Sequence, residues 1–552
     1  MTTVLAWLLA LALLYAAPAQ ATIRYDVSLA HPERHQFHVT MTVPNAQGDV
    51  TVQIPAWNAL YQIRDFGARV TDFRAVDATG NSLPVRRLDK GAWRIETQSG
   101  GQSRAASSDI RIQYATLWDG PGPFDTQLNA DHAFINLAMI LCYLPERRGE
   151  DDVVHFTDVP RDWRAAAELA PDKAAPGVTY DAANYDTLVD APVEIGQFDT
   201  WSFTGGGKAE GKTIRIVYHG ETVDRDALTR MLSQIVNYEA GMMGGAPFPE
   251  YTFFLHVGRD YGGGGMEHAN STAISVESYA QLASVSAHEF FHLWNVKRIR
   301  PQTLEPVDYT KEMYTRALWF AEGVTSTYAA YTLVRTGIWS QAQFLADLGK
   351  QINELESRPA REWQSAEESS LDTWLDKYAL YNRPEFSISY YNKGQLLGVA
   401  LDILIRDATD NRGSLDDVMR RMNQEYAERG RFYDDSAGIE RVVEEVVGAA
   451  NASSSPGVES AAKGNSGAGA ASAADVGDFF RRYVSGTDEM PFADLLARAG
   501  LTLGMLSQSQ ASKVQGVPQV YYVQEALNPT PRQLRIRNGI VSGTTDRVAA
   551  TR

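Results

Sequence analysis

The stretch that decides the fold reads ASVSAHEFFHLWNVKRIRP and runs from Ala283 to Pro301. It contains His288 and His292, and on a helix positions i and i+4 lie on one face, so both imidazoles can reach one metal ion. Glu289 projects about 100° around the helix from His288 and can reach a water held at the same ion. The spacing therefore predicts a helix that carries two metal ligands and a general base.

A catalytic zinc ion takes three protein ligands and leaves one position open. The downstream segment Leu318–Tyr328, LWFAEGVTSTY, holds one carboxylate, Glu322, among large apolar residues. An unpartnered charge is costly in such surroundings, so we predict Glu322 as the third ligand of one Zn²⁺ ion. The alternatives lie in a polar connection and are Glu305, Asp308 and Glu312.

The segments around this helix change from strand-like to helical patterns along the chain. Two β runs precede it, Tyr251–Val257 and Thr272–Val276. A helix with Asp224 as its N-cap is predicted before them. The helical patterns are Asp224–Tyr238, Ser284–Val296, Tyr314–Val334, Ser340–Leu355 and Lys393–Asp407. Strands followed by helices predict an α+β catalytic domain.

The region from Thr22 to about Ala115 has the alternation of apolar and polar residues that is typical of strands. Ile23–Leu29, Gln36–Val43 and Val50–Ile54 show it, with turn signals between them. The spacing predicts an amino-terminal β-sandwich, which would act as a scaffold rather than as a reaction centre.

Composition sets further limits. The chain has 552 residues, 44% of them hydrophobic and 22% charged, which predicts two to four globular domains. Its formal charge of −17 argues against nucleic-acid binding and is compatible with a cationic ligand such as a peptide amino terminus. The one cysteine, Cys142, lies in an apolar run and is expected to be a buried apolar residue.

Two segments are not expected to belong to the folded domains. Val4–Ala17 is an apolar run followed by Ala19-x-Ala21, which predicts a signal peptide over 1–21 and an exported protein, periplasmic or secreted. An uncleaved anchor is the alternative, and no later segment predicts a membrane span. Residues 449–474 are dominated by Ala, Ser and Gly, which predicts a flexible loop.

The two metal-site motifs resemble the glycyl aminopeptidase family of zinc metallopeptidases: His288–Pro301, HEFFHLWNVKRIRP, and LWFAEGVTSTY. Ile54–Trp57 and Gln62–Phe66 are similar to the amino-terminal motif of that family, although its usual Pro-Gly-Ser-Tyr turn is here Asn58–Tyr61. The resemblance covers most of residues 22–503. It implies a thermolysin-like catalytic domain, with a mixed sheet and helices, behind an amino-terminal β domain and often followed by a PDZ domain.

The resemblance also implies roles outside the metal-site motifs. Gly264-Gly265-Met266-Glu267-His268 is similar to the exopeptidase loop of the related aminopeptidase N family, in which the Glu holds the substrate's free amine. His268 replaces the usual Asn of that motif. These five residues are therefore predicted to bind substrate, with strand addition to the loop as the physical basis.

A tyrosine of the same relatives is predicted to complete the catalytic set. Ser389–Gly394 resembles their Tyr-x-Lys-Gly segment, which places Tyr391 where a hydroxyl donates to the developing oxyanion. Tyr390 is the neighbouring alternative. Ser326 stands where relatives often carry an acid that orients a ligand histidine, so any such carboxylate must come from elsewhere.

These interpretations divide the chain into a signal peptide (1–21), a β domain (22–192), a metallopeptidase domain (193–505) and a tail (506–552). Leu534–Gly543 in the tail is expected to form two short strands, the opening of a residual PDZ domain, and the chain is expected to be truncated or frame-shifted there.

The predicted function is removal of small amino-terminal residues, Gly or Ala, from peptides with a free amino terminus. A thermolysin-type endopeptidase and a non-catalytic peptide-binding envelope protein are the alternatives, and the oligomeric state stays open.

Overall fold

A computed structural model describes residues 22–58, 61–97, 108–172, 175, 177–452, 473–506 and 520–546. The predicted signal peptide 1–21 and residues 453–472 of the predicted loop lie outside the described residues. The chain divides into an amino-terminal unit, Met1–Asn58 with Arg64–Phe198, and a carboxy-terminal unit, Ala59–Ile63 with Asp199–Arg552.

The amino-terminal unit is rich in β-structure, as the alternating sequence predicts. Its strands are β1 Ile23–Ser28, β2 Gln36–Ala46, β3 Val50–Gln53, β4 Val70–Asp77, β5 Ser82–Leu83, β6 Val85–Arg87, β7 Ala92–Ile95, β8 Ser108–Leu117, β9 Gln127–Leu128, β10 His132–Ile135, β11 Asp152–Thr157, β12 Arg164–Ala167, β13 Ala170–Pro171, β14 Thr179–Ala182 and β15 Val193–Gly196, and its one described α-helix is α1, Tyr185–Val189. They form sheets in the orders β13-β14-β11-β1-β2-β8-β4-β5, β12-β15-β10-β9 and β3-β7-β6. β15 pairs with β10 and β12, which extends this unit past the predicted boundary at residue 192.

One face of the largest sheet contributes to the core of this unit. Side chains of β1 alternate between buried and half-exposed, which is the period of two that a strand with one covered face requires. The buried Tyr25 hydroxyl donates to the carbonyl oxygen of Cys142 at 2.9 Å. Cys142 is fully buried, as expected, and burial raises the pKa of its thiol to about 12.

The carboxy-terminal unit combines a five-stranded mixed sheet with many helices. The strands are β16 Asp199–Thr204, β17 Thr213–Gly220, β18 Glu250–Val257, β19 Gly264–Glu267, β20 Ser271–Val276, β21 Leu501–Met505 and β22 Tyr521–Glu525. The helices are α2 Arg225–Met243, α3 Tyr279–Phe291, α4 Thr325–Arg335, α5 Gln341–Glu356, α6 Ala366–Leu371, α7 Tyr390–Ala408, α8 Leu415–Glu425, α9 Asp435–Ala452, α10 Ala473–Phe479, α11 Phe492–Arg498 and α12 Pro531–Ser542. The sheet order is β16-β17-β18-β20-β19, so β19 is an edge strand, and β21 pairs with β22. Within the described residues, none of these helices combines the length and apolar character that a bilayer span requires.

The predicted helices are present with shifted ends. The Asp224 side chain accepts from the Ala227 N–H at 3.0 Å and caps α2, as predicted. α3 ends at Phe291 and continues as a series of turns instead of reaching Val296. The predicted helix from Tyr314 begins only with a π-helical turn, Trp319–Val324, that leads into α4.

The prediction of two strands over Leu534–Gly543 was wrong, because this segment lies in helix α12. Thr530 and Gln533 form a capping box, Pro531 occupies the first turn, and Gly543 ends the helix with φ 71°. The alternating Leu-Arg-Ile-Arg pattern of residues 534–537 suggested a strand, yet Ile536 and Ile540 share one buried helix face. The PDZ prediction rested on those strands and loses its basis.

A carboxyl group buried in β11 makes the stability of the amino-terminal unit depend on pH. Asp152 is 2% exposed, and within the described residues its Oδ1 has no hydrogen-bond partner. Burial raises its pKa to about 8, and the charges of Glu150 and Asp151 act in the same direction. The folded state therefore binds more protons than the unfolded state between pH 4 and 8, so stability falls as pH rises through that window.

We expect Asp152→Asn to remove this loss. One pKa unit corresponds to about 1.4 kcal/mol. Between pH 5 and pH 8.5, the free energy of unfolding of the variant should therefore rise by a few kcal/mol relative to that of the parent protein. Urea unfolding of the full chain at the two pH values measures the difference. Asp181→Asn, an exposed residue on the neighbouring strand β14, is the control. An equal effect of Asp152→Asn at both pH values would contradict the prediction.

Candidate metal centre and active site

Helix α3 carries the first part of the site. Its apolar side is held by aromatic contacts: Phe291 stacks on Tyr328 at 4.3 Å between ring centroids, and Phe290 packs edge-on against Tyr251 at 4.9 Å. The helix is thereby held between the sheet and α4 with a fixed rotation. His288 and His292 project together on another side, with their ring centroids 4.6 Å apart.

The π-helical turn Trp319–Val324 brings Glu322 to these two histidines. The Nε2 atoms of His288 and His292 are 3.0 Å apart, and Glu322 Oε2 lies 3.4 Å from the first and 3.1 Å from the second. The three potential ligand atoms thus form a nearly equilateral triangle. A local widening from α- to π-helix is a feature often found at functional sites.

This triangle fits a zinc ion. Nitrogen and oxygen ligands about 2.0–2.1 Å from a tetrahedral ion are separated by about 3.3 Å from each other, close to the observed edges. Glu289 is also buried beside the triangle, and within the described residues its Oε2 has no hydrogen-bond partner. A water at the fourth ligand position would satisfy that oxygen.

The Glu322 carboxylate attracts positive charge to the triangle. Burial lowers the pKa of His288, which keeps this imidazole neutral and able to coordinate. Burial also opposes protonation of His292, but the adjacent Glu322 carboxylate raises its pKa to about 10. Although burial acts against ionisation of Glu322, the charge of His292 and hydrogen bonds from both imidazoles hold its pKa well below the usual range. A divalent ion bound there would take the place of the His292 proton and would complete this set of one carboxylate and two imidazoles.

The other ring nitrogen of each histidine is held by a neighbouring oxygen. His292 Nδ1 lies 2.6 Å from the carbonyl oxygen of Asn295. His288 Nδ1 lies 3.3 Å from Ser326 Oγ, whose hydroxyl in turn donates to the Glu322 carbonyl oxygen at 3.1 Å. These contacts favour the tautomer in which Nδ1 carries the proton and Nε2 faces the ligand triangle. Ser326 therefore orients His288 from the position at which relatives often carry a carboxylate.

Asn295 and Thr325 join the end of α3 to the π-helical turn, and the sequence did not reveal either role. The Asn295 amide donates to the Phe320 carbonyl oxygen at 2.9 Å. The Thr325 hydroxyl lies 2.7 Å from the Ala321 carbonyl oxygen and 3.2 Å from that of Asn295. Asn295 is the one amide in the apolar run that follows His292. Because a buried polar side chain requires hydrogen-bond partners, this residue could have indicated a structural role.

Two glycines allow α7 to approach the same turn. A Cβ added to Gly323 would overlap the Gly394 Cα and the Tyr390 carbonyl oxygen, so the two backbones touch. Tyr391 then lies beside the metal site, with its ring centroid 6.0 Å from that of His288. The Tyr390 hydroxyl is instead engaged with Thr373 Oγ1 at 3.0 Å. This difference favours Tyr391 over Tyr390 as the residue that faces a substrate.

The edge strand β19 supplies the third side of the site. Glu267 lies with Glu289 and His292 in a group whose potential ligand atoms are all within 4.8 Å of one another. Gly264 is half-buried at the start of the strand, and the Met266 side chain is buried. His268, also predicted to bind substrate, is buried in the turn after the strand. Its backbone N–H donates to the Ser271 carbonyl oxygen at 3.0 Å.

Gly265 is required where β19 passes Glu289. A Cβ at this position would overlap the Glu289 carboxyl group, so the absence of a side chain lets the base lie against the strand. The predicted base and the predicted amine-binding strand are thus in direct contact.

Tyr61 is a further residue that the sequence did not assign to the site. It belongs to Ala59–Ile63, which is part of the carboxy-terminal unit although it precedes β4 in the chain. Its ring packs edge-on against Trp374 at 6.1 Å. Burial raises the pKa of its hydroxyl, and the negative charges of Glu322 and Glu267 act in the same direction. Tyr61 therefore lies within electrostatic reach of the metal ligands and stays protonated.

We expect Gly265→Ala to displace the Glu289 carboxylate and lower kcat by tenfold or more, because a shift of about 1 Å can cost about 100-fold in rate. Bound zinc should not change, since Glu289 is not one of the ligands. Gly263→Ala is the matched control, as a Cβ there meets nothing within 4 Å. Hydrolysis of a glycyl arylamide together with zinc quantitation measures both effects, and equal kcat in the two variants would refute the argument.

Residues 281–397 match the model of the M61 glycyl aminopeptidase family, and residues 24–197 match that of the peptidase M61 N-terminal domain. A search of curated proteins gave no match.

The chain is also similar to solved structures. The structure of an aminopeptidase N family protein from Idiomarina loihiensis is 25% identical, with a TM-score of 0.76 over 88% of this chain and 79% of that one. The M1 zinc metallopeptidase from Deinococcus radiodurans is 16% identical, with a TM-score of 0.48 over 86% of this chain and 95% of that one. A mutant of the latter bound to a Tyr-Ser-Ala substrate is 16% identical, with a TM-score of 0.45 over 78% of this chain and 92% of that one.

The two family matches together span more than half of the chain, and the segment from residue 281 to 397 contains His288, Glu289, His292, Glu322 and Tyr391. The chain belongs to the M61 glycyl aminopeptidase family and is a zinc metallopeptidase that hydrolyses peptides as an aminopeptidase.

Proposed function

We propose that this chain removes small amino-terminal residues from peptides with a single zinc ion held by His288, His292 and Glu322. The observation that carries the proposal is the triangle of ligand atoms with edges of 3.0–3.4 Å. Bound there, zinc supplies Lewis-acid chemistry, since it polarises a carbonyl oxygen and lowers the pKa of a water. The remaining steps belong to side chains of this protein.

Glu289 is the proposed general base. Its carboxylate lies beside the ligand triangle, where it can take a proton from the attacking water and return it to the leaving amine nitrogen. Burial raises its pKa well above the usual range. A raised pKa suits a group that has to hold a proton for part of the cycle.

Tyr391 is the proposed donor to the oxyanion that forms when water attacks the carbonyl carbon. Partial desolvation and the negative charge of Glu322 raise the pKa of its hydroxyl, which therefore stays protonated. A hydrogen bond that is strongest to the oxyanion stabilises the transition state more than the bound substrate and therefore raises kcat.

Glu267 is the proposed partner of the substrate's ammonium group. It stands at the end of an edge strand, and β19 can pair with an extended peptide on its open side. Because Glu267 lies within 4.8 Å of the ligand and base atoms, an amine held there leaves room for one residue before the scissile bond. This spacing supports exopeptidase action, and the close packing of Gly265 on Glu289 supports a small first residue.

The remaining proposals concern architecture and location. The mixed sheet followed by helices supports a thermolysin-like catalytic unit. The apolar run Val4–Ala17 and the Ala-x-Ala pattern support export to the periplasm or the cell exterior. Detection of the mature amino terminus at Thr22 in an exported fraction would test the second proposal.

The mechanism predicts that Glu289→Gln keeps zinc and loses activity. General-base catalysis contributes about 100- to 10,000-fold, so kcat should fall by that factor while the zinc content stays at one ion per chain. Glu277→Gln, an exposed residue just before α3, is the control. A chelator should abolish activity in the parent protein and zinc should restore it. Full activity of Glu289→Gln would end the proposed mechanism.

The role of Glu267 predicts a different pattern. Loss of an ammonium–carboxylate pair should raise KM for a glycyl arylamide by about tenfold or more, since hydrogen bonds to charged groups contribute about 1.5–3 kcal/mol. The N-acetylated substrate, which has no ammonium group, should be refused by the parent protein. Glu267→Gln should lower the ratio of kcat/KM for the free-amine substrate to kcat/KM for the N-acetylated substrate. An unchanged ratio would show that Glu267 does not recognise the amine.

A further inference from the structure

An aminopeptidase has to keep its amine-binding group at a fixed distance from its metal ligands. In this chain the two groups lie on different elements, because Glu267 is on the edge strand β19 and His292 follows helix α3. A movement of the strand along the helix by a fraction of one residue would misplace the scissile bond. Some contact is therefore needed to hold the strand end to the helix end.

Arg298, in the turns after α3, makes such a contact. Its Nη1 donates to the carbonyl oxygen of Leu293 at 2.7 Å and to that of Ala269 at 3.2 Å. Its Nη2 donates to Asn270 Oδ1 at 3.4 Å. Leu293 directly follows the ligand His292, and Ala269 stands two residues after Glu267, so one guanidinium spans the two functional groups.

The turn that Arg298 holds is closed by the backbone. The His268 N–H donates to the Ser271 carbonyl oxygen at 3.0 Å, and the Thr252 N–H donates to that of Asn270 at 3.1 Å. The turn is therefore tied to β18, and Glu267 is the last residue of β19 before it. Arg298 is half-buried, so its hydrogen bonds are partly shielded from water.

Arginine has the shape that this task requires. Its planar guanidinium presents several donors in a rigid fork, whereas a lysine ammonium is a point charge on a flexible stem. A lysine could reach one of the acceptors but could not reproduce the geometry that joins Leu293 to the Ala269–Asn270 turn.

We propose that Arg298 is a positioning residue that sets the spacing between the amine-binding Glu267 and the metal ligands, and so determines where the substrate is cut. This inference rests on the proposed role of Glu267. Arg298 bridges backbone and amide oxygens of the two elements, and its effect on the reaction is exerted through Glu267.

The test compares Arg298→Ala and Arg298→Lys with Arg230→Ala, an outward-facing arginine on α2 that serves as control. For a glycyl arylamide, Arg298→Ala should raise KM by about tenfold, equivalent to about 1.4 kcal/mol, and change kcat by less than about threefold. Arg298→Lys should give an intermediate KM. Zinc content and melting temperature, measured on the same preparations, should stay close to those of the control.

A second set of variants separates this inference from the proposed function. In a Glu267→Gln background, Arg298→Ala should raise KM by less than about twofold, because the residue through which it acts is gone. Equal effects of Arg298→Ala in both backgrounds, or a loss of kcat and zinc without a change in KM, would overturn the positioning role and leave Glu267 in place. No effect of Glu267→Gln alone would overturn both. Wild-type KM in Arg298→Ala would overturn the inference by itself.

Discussion

The structure depends on holding three electron-rich atoms, two imidazole nitrogens and one carboxylate oxygen, within 3.0–3.4 Å of one another. No single element supplies them, because the histidines come from the end of α3 and the carboxylate from the π-helical turn before α4. The hydrogen bonds of Asn295 and Thr325 to the backbone of that turn hold the two pieces together. The proposed metal ligands are therefore positioned by neutral polar groups that have no proposed role in the chemistry.

Close backbone contacts bring the other proposed catalytic groups to this centre. Gly323 and Gly394 let α7 touch the π-helical turn, and Gly265 lets the edge strand touch Glu289. In each case a methyl group would separate two functional side chains that have to share one substrate. Protein interiors are packed too densely to absorb such a change without moving something, which explains why glycines stand next to Glu322, in the Tyr391 segment and before Glu267.

The end of the described chain belongs to the support of this site. Arg335 of α4 pairs with Asp416 at 3.0 Å and donates to the carbonyl oxygen of Ile540 in α12 at 2.8 Å. Arg406 of α7 pairs with Asp402 at 3.1 Å and donates to the carbonyl oxygen of Thr544 at 2.8 Å. Both arginine side chains are fully buried. The two hydrogen bonds connect α12, and Thr544 just after it, to α4 and α7, the helices next to the active site. Each arginine is held by its ion pair, and a buried pair of this kind costs much when one partner is lost.

The sequence by itself determined what depends on local periodicity. The i, i+4 spacing of His288 and His292, the N-cap of α2 and the alternation of β1 each involve neighbours in the chain, so they could be read directly. The capping box, Pro531 and Gly543 were local signals for α12, but the alternation of apolar and charged residues between them suggested strands instead. The apolar surroundings of Glu322 singled it out in the sequence, but tertiary structure alone decided its distances to the two histidines. Tertiary structure also decided the contact of Ser326 with His288, the position of Tyr61 and the bridge made by Arg298. Those features join residues that are distant in the chain, and close packing, which no local pattern encodes, brings them together.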